Sequence, residues 1–202
     1  MDRGEGVGGV KWGTMKYFFL RYRLNAEDRY LIWISNEKDS VVVDSQGFIP
    51  SFKDSIVLRA YANLNHYVLE SEEPIPHDLD RIAAWAASPV IPVHCDEALA
   101  AWNLLGDVAA SIVDRGIAFE RLDSDADFRA IYDKLFWGNN LPSVTPKGEH
   151  YVPEWAPDEI TSLAEILSTG LDLFASCTRN WPQEPEERDL GKRNGDRPLR
   201  PR

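Results

Sequence analysis

What most restricts the fold of this chain is the order of its two hydrophobic periods. Alternation with a period of two is confined to the stretch just after Met15, and from about residue 51 the apolar residues recur at helical spacing. In Lys16–Leu24, the side chains of Phe18, Leu20, Tyr22 and Leu24 fall on one face and Arg21 and Arg23 on the other, the pattern of a half-buried strand. Residues 29–35 (RYLIWIS) are β-rich, with Ile32 and Ile34 alternating. Residues 40–44 (SVVVD) follow across the polar loop Asn36-Glu37-Lys38-Asp39. These three segments predict an antiparallel meander. Strands that precede helices, rather than alternate with them, argue for an α+β fold: an N-terminal antiparallel β-meander packed against about five helices, and not a Rossmann-type βαβ array.

The helices are read from caps and stripes. Ser51 with Asp54 approximates a capping box, opening a helix with Phe52, Ile56, Ala60 and Leu64 as its stripe and Val57 and Tyr61 beside it. Residues 67–70 form a short extended piece that could return to the sheet. Asp78 caps a second helix to about Ala87, apolar at Leu79, Ile82, Ala83 and Ala86, and Pro89 stops it. Asp96 caps a third, apolar at Leu99, Trp102, Ala109 and Val113, that runs to about Arg115 with Gly116 closing it. Residues 117–121 then read as a short strand. Ser124 caps a fourth, with Phe128, Ile131, Tyr132, Leu135 and Phe136 on one side and Gly138 at its end. Pro157 opens the last helix, whose stripe is Ile160, Leu163, Leu167, Leu171 and Phe174.

The 202 residues divide by pattern into three parts. Residues 1–14, with five glycines and no periodicity, read as an extension ahead of a native start at Met15; 15–181 form one α+β domain; 182–202 read as a disordered charged tail. The domain holds 26 acidic and 14 basic residues, a net −12 against −11 for the whole chain, so the acidity belongs to the folded body. Such a field repels nucleic acid and anionic membrane and favours a basic protein partner. No run approaches the roughly 18 consecutive apolar residues of a membrane span. No charged n-region leads into an apolar h-region, which together with the missing span points to a cytoplasmic protein. Cys95 and Cys177 are too few and too far apart for a disulfide framework or a zinc knuckle, and are expected to be buried free thiols.

Motifs for chemistry are scarce. GEGVGG at residues 4–9 has neither a preceding strand nor the Lys of a P-loop, and no GxSxG, HExxH or HxE…PCxxC pattern occurs. His94-Cys95-Asp96-Glu97 is the one cluster of reactive types, and Cys95 with His94 or His150 is the enzymatic alternative. The plainer reading packs Cys95 beneath a cap made by Asp96. His77, beside Asp78 and Asp80, is accounted for by helix capping, so no metal and no cofactor is expected. Asn103, inside the third helix, is expected, if buried, to fix a loop backbone by hydrogen bonds, with ligand binding as the alternative.

Two features resist a purely structural reading. Residues 138–156 form a connection long for a compact domain, and Pro142, Pro146 and Pro153 restrict it. It reads as a preformed recognition loop with Asn139, Asn140, His150, Tyr151 and Trp155 as contacts, or as a lid over the core. From 148 to 178 there are six acids and no Lys or Arg. Asp158, Glu165 and Asp172, seven apart, share one helix face without basic neighbours, and Asp172 opposes the helix dipole. The expectation is a non-enzymatic acidic binding protein that holds a basic partner; a scaffold domain for another protein is the other alternative. No pattern encodes the oligomeric state.

Residues 101–111 (AWNLLGDVAAS) and 135–155 (LFWGNNLPSVTPKGEHYVPEW) have a family-specific look. A small acidic α+β domain with no catalytic signature resembles the immunity proteins of bacterial toxin systems, in size, charge and layout rather than in a diagnostic motif. The resemblance implies neutralisation of a toxin, often a nuclease, by covering it with acidic surface.

Overall fold

In the computed structural model, which describes residues 15–182 apart from residue 75, β1 (Lys16–Leu24) and β2 (Glu27–Ser35) pair antiparallel along their whole length, Lys16 opposite Ser35 and Leu24 opposite Glu27. Residues 1–14 and 183–202, the extension and nearly all of the tail expected from sequence, lie outside the described residues. Only Asn25 and Ala26 make the β1–β2 turn, both at positive φ (55° and 60°), the backbone of a type I′ hairpin. The two oxygens of Asp80 accept their backbone N–H groups at 2.7 and 2.8 Å. β2 therefore starts two residues before the point where its alternation becomes visible, and its register is held from residue 80.

β3 (Ser40–Val41) continues the meander against β2, but only these two of residues 40–44 form strand. The sheet then grows beyond the meander. β4 (Ile49–Phe52) lies antiparallel beside β2, β5 (Pro76–Asp78) parallel beside β1, and β6 (Thr178–Trp181) parallel beside β4. The order is β5-β1-β2-β4-β6, with β3 also on β2, a mixed six-stranded sheet. Segment 67–70 contributes one parallel bridge, Tyr17 to Leu69.

Ser51 is thus a strand residue and not a helix opener. It is buried, with its hydroxyl 2.5 Å from that of Tyr22 and accepting from Arg29 Nε at 2.7 Å. Asp54 caps α1 (Ser55–Leu64) by accepting from the Val57 N–H at 2.8 Å. The buried face is Leu58, Tyr61 and Ala62, packed with Ile32 and Phe52 on one side of the sheet, whereas Ile56 and Leu64 of the expected stripe are 78% and 75% exposed. This helix is apolar on more than one side, so spacing alone does not choose the face that meets the sheet.

The other helices form the second layer: α2 (Leu79–Ala87), α3 (Cys95–Ser111), α4 (Val113–Asp123), α5 (Ala126–Gly138) and α6 (Pro157–Cys177). Asp78 caps α2, as predicted, by accepting from the Arg81 N–H at 3.0 Å. α3 starts one residue before Asp96, with His94 at the cap position and Asp96 and Glu97 in the first turn, where the dipole favours acids. It stops at Ser111, and α4 occupies the place of the expected strand at 117–121. Gly116 permits this break: a Cβ there would lie 2.2 Å from the Ala109 carbonyl oxygen, so it is a close-contact glycine inside α4 and not a helix terminator. Asp125, not Ser124, caps α5 by accepting from the Asp127 N–H. Dividing the third predicted helix makes six helices among the described residues, one more than the pattern indicates.

The main core joins Trp102, Leu105 and Val108 of α3 to Leu163, Leu167 and Phe174 of α6 and to Leu31 and Ile49 of the sheet. Each such side chain contributes about 1.5–3 kcal/mol on burial. Among the described helices α6 alone is long and apolar enough to cross a membrane by length and composition, and half of that stretch is buried in this core.

Candidate functional site

In the long connection between α5 and α6, Asn140 ties the two limbs together and Lys134 donates to the Glu154 carbonyl at 3.0 Å. Asn140 (φ 49°) donates its amide to the carbonyls of Gly138 and Tyr151, both at 2.9 Å, and accepts from the Tyr151 N–H at 2.7 Å. Asn140 therefore positions Tyr151. Trp155 packs half-buried on the core, with Lys134 Nζ 5.8 Å from its ring centroid. Lys134 also grips the Glu159 carboxylate at 2.5 and 2.7 Å; this bond, with the Ala156 N–H, holds Glu159 below the usual carboxylate range. Trp137, Val144, Tyr151 and Val152 remain exposed. His150 and Tyr151 stand between two concavities, one of about 500 Å³ against Trp137 and Pro146, the other of about 340 Å³ against His94, Cys95 and Asn139. The segment thus covers the core at Trp155 and leaves Tyr151 exposed.

Cys95, His94 and His150 line the same cavity, yet they do not form a nucleophile–base pair. The Cys95 thiol donates to the Val93 carbonyl at 3.7 Å, and burial, followed by the charge of Asp96, pushes it up from its ordinary pKa. His94 lies 3.4 Å from the Arg81 guanidinium. A thiolate nucleophile needs the opposite environment. Cys95 and Cys177 are both free and buried. At the other candidate cluster Asp78 caps α2 and Asp80 binds the hairpin turn, while burial lowers the pKa of His77.

On α6, Asp158, Glu165 and Asp172 are exposed, and among the described residues none of them makes an ion pair or side-chain hydrogen bond. Fourteen residues of helix place the first and last about 21 Å apart. Six of the fourteen bases of the body form ion pairs with acids outside this row, among them Arg21 and Arg23 with Asp28, Arg81 with Glu97 and Lys134 with Glu159. Other acids have local duties, Asp54, Asp78 and Asp125 as helix caps and Asp44 in a turn. Among the described residues, exposed acids such as Glu37, Asp114, Glu120 and Asp133 likewise have neither; what marks the α6 acids is their seven-residue spacing along a helix that holds no Lys or Arg.

A third region, around Asp107, went unmarked in the sequence reading. Two adjoining cavities of about 540 and 430 Å³ share Trp33, Asn103 and Asp107. The Trp33 indole donates to Asp107 at 2.8 Å, and the Trp102 indole to Asp123 at 2.8 Å. Burial pushes Asp107 up to about 6, against the Trp33 bond that lowers it. Asn103 is exposed, so the burial on which the loop-fixing role depended is not met; it accepts from the Tyr132 hydroxyl at 3.0 Å and ties α3 to α5. A signal was present: Asn103, Gly106 and Asp107 are three poor helix formers within about one turn of an otherwise apolar helix.

Fold and surface together define the class of molecule: an α+β domain, its sheet covered by helices on both faces, with an acidic outer helix and a restrained aromatic loop. Compared with protein-family models, with curated proteins and with solved structures, the chain matches none.

Proposed function

We propose that the chain is a non-enzymatic binding protein that captures a basic protein partner on the outer face of α6, with the Tyr151 rim as a second contact. The observation that carries this reading is the row Asp158, Glu165 and Asp172, exposed and without ion-pair partners on a helix that has no Lys or Arg. Asp158 suits the N-terminal turn of α6, whereas Glu165 and Asp172 gain nothing from the helix; together the three steer a cationic surface and accelerate encounter. In its more specific form the partner is a basic toxin, the chain is its immunity protein, and the pair meets in the cytoplasm.

The test is co-expression with the product of the adjacent gene, scored by growth rescue and by association kinetics. Association is expected to speed up as salt falls. Changing Asp158, Glu165 and Asp172 together to Lys should slow it by about tenfold or more, with circular dichroism checking that the variant folds. A rate indifferent to both changes rejects the acidic-face reading. The enzymatic alternative keeps one favourable observation, the cavity shared by Cys95, His94 and His150; retention of function in Cys95→Ser would remove it.

A further inference from the structure

Two neighbouring residues of α3 act against the stability of their own helix. Gly106 is mid-helix, where glycine costs about 1 kcal/mol relative to alanine, yet a Cβ there would meet only Phe119 Cε1, at an ordinary 3.6 Å. Packing does not require glycine. Asp107, next to it, is a carboxylate largely withdrawn from water whose partner is the neutral Trp33 indole and not a cation. Both line the 540 Å³ cavity, and Asp107 lines the adjoining one as well. What these unfavourable choices leave is room and negative charge at the junction of two cavities.

The walls specify the chemistry that fits. In the larger cavity the aromatic surfaces of Trp33, Trp102 and Tyr132 alternate with the carboxylates of Asp39, Asp107 and Asp123. Its two bases, Lys38 and Arg129, are exposed at the rim, and Arg129 already stacks on Tyr132. The smaller cavity is apolar along Phe18, Leu20 and Leu104, with Glu72 and Glu73 at its edge. Aromatic faces and carboxylates both attract cations, more strongly where water is scarce, and both repel anions. Asp107 uses one oxygen for the Trp33 N–H, and its second can accept from a ligand.

We propose that the two cavities form one binding site for a small amphipathic organic cation, its ammonium or guanidinium group on Asp107 against Trp33 and its apolar body along Phe18, Leu20 and Leu104. The site stands apart from the acidic face of α6 and does not depend on it.

The experiment titrates the full chain with phenethylammonium, and with phenethyl alcohol and phenylacetate as its neutral and anionic matches. Indole N–H signals are followed by heteronuclear NMR, with Trp33→Phe used to assign the Trp33 signal. The cation is expected to shift that signal saturably, the alcohol to bind about tenfold more weakly, and the carboxylate not to bind. Asp107→Asn keeps an acceptor for the indole while removing the charge; it should weaken the cation about tenfold and leave the alcohol unchanged. Gly106→Leu, which fills the larger cavity, should abolish the shift, with circular dichroism checking that each variant folds. Equal affinity for cation and alcohol, or indifference to Asp107→Asn, overturns the charge assignment. No saturable shift of Trp33 by any of the three overturns the site. Lys at 158, 165 and 172 should leave the titration unaltered, so this site and the partner-binding face succeed or fail separately.

Discussion

At Ala26 the backbone is left-handed (φ 60°), where a Cβ costs roughly 1–2 kcal/mol and glycine is free of that penalty. Ala26→Gly is therefore expected to stabilise the protein by about 0.5–1 kcal/mol in urea unfolding, part of the gain being offset by glycine's greater freedom in the unfolded chain. Asp107 is the second residue whose conformation or charge opposes folding. Its pKa is raised to about 6 in the fold from 3.8, so between these values the native state keeps a proton that the unfolded chain has lost. Stability from this group falls as pH rises from about 4 to 6, and the full penalty applies above 6. Asp107→Asn should thus stabilise at pH 7 by about 1 kcal/mol, a figure discounted for the solvent that still reaches the carboxylate. The gain should vanish near pH 4. A gain independent of pH would locate the effect elsewhere than in the charge.

At the scale of elements, α1 gives the sharpest contrast. Leu58→Ala should cost about 2–4 kcal/mol, because its side chain is wholly buried. Ile56→Ser and Leu64→Ser should each change stability by no more than about 0.5 kcal/mol. The pattern read from sequence assigns the opposite ranks, so chemical denaturation of the three variants decides between the faces. Gly116→Ala should destabilise by more than about 2 kcal/mol, since the added methyl would overlap the Ala109 carbonyl and α4 would have to part from α3. The strands of the meander, the cap at Asp78, the Pro157 start and the α6 stripe were all legible, because each signal is local: alternation, a capping carboxylate, a fixed φ, a repeat near 3.6. What escaped depends on contacts remote in sequence. Asp80 binds a turn more than fifty residues away, and β4 is recognisable only by the strands that flank it; Gly116 is set by Ala109, seven residues back but across the break between α3 and α4. The candidate sites divide in the same way. The α6 acids and the proline-rich loop stand out in the sequence, while the Asp107 junction leaves only a run of poor helix formers there and takes shape where β2 meets α3.

For the whole molecule, the body's net −12 is uneven in its consequences. Acids used as caps, in ion pairs or, like Asp158, in a helix's first turn support the fold, while Glu165 and Asp172 add to the repulsion. Raising salt from about 10 to 150 mM shortens the screening length from about 30 to 8 Å, and the melting temperature is expected to rise as self-repulsion weakens. A fall would mean that the ion pairs around Asp28, Asp80 and Glu97 outweigh that repulsion. The placement of β6 has a further consequence, for biosynthesis. Its parallel seat beside β4 brings residues 178–181 against 49–52, a contact that must close over more than a hundred residues. A nascent chain that has emerged only as far as α5 carries β4 with a bare edge and lacks the α6 side chains that bury α3. Until α6 and β6 leave the ribosome, the growing chain exposes both an unpaired strand and an uncovered apolar helix, the two surfaces for which chaperones and aggregation compete.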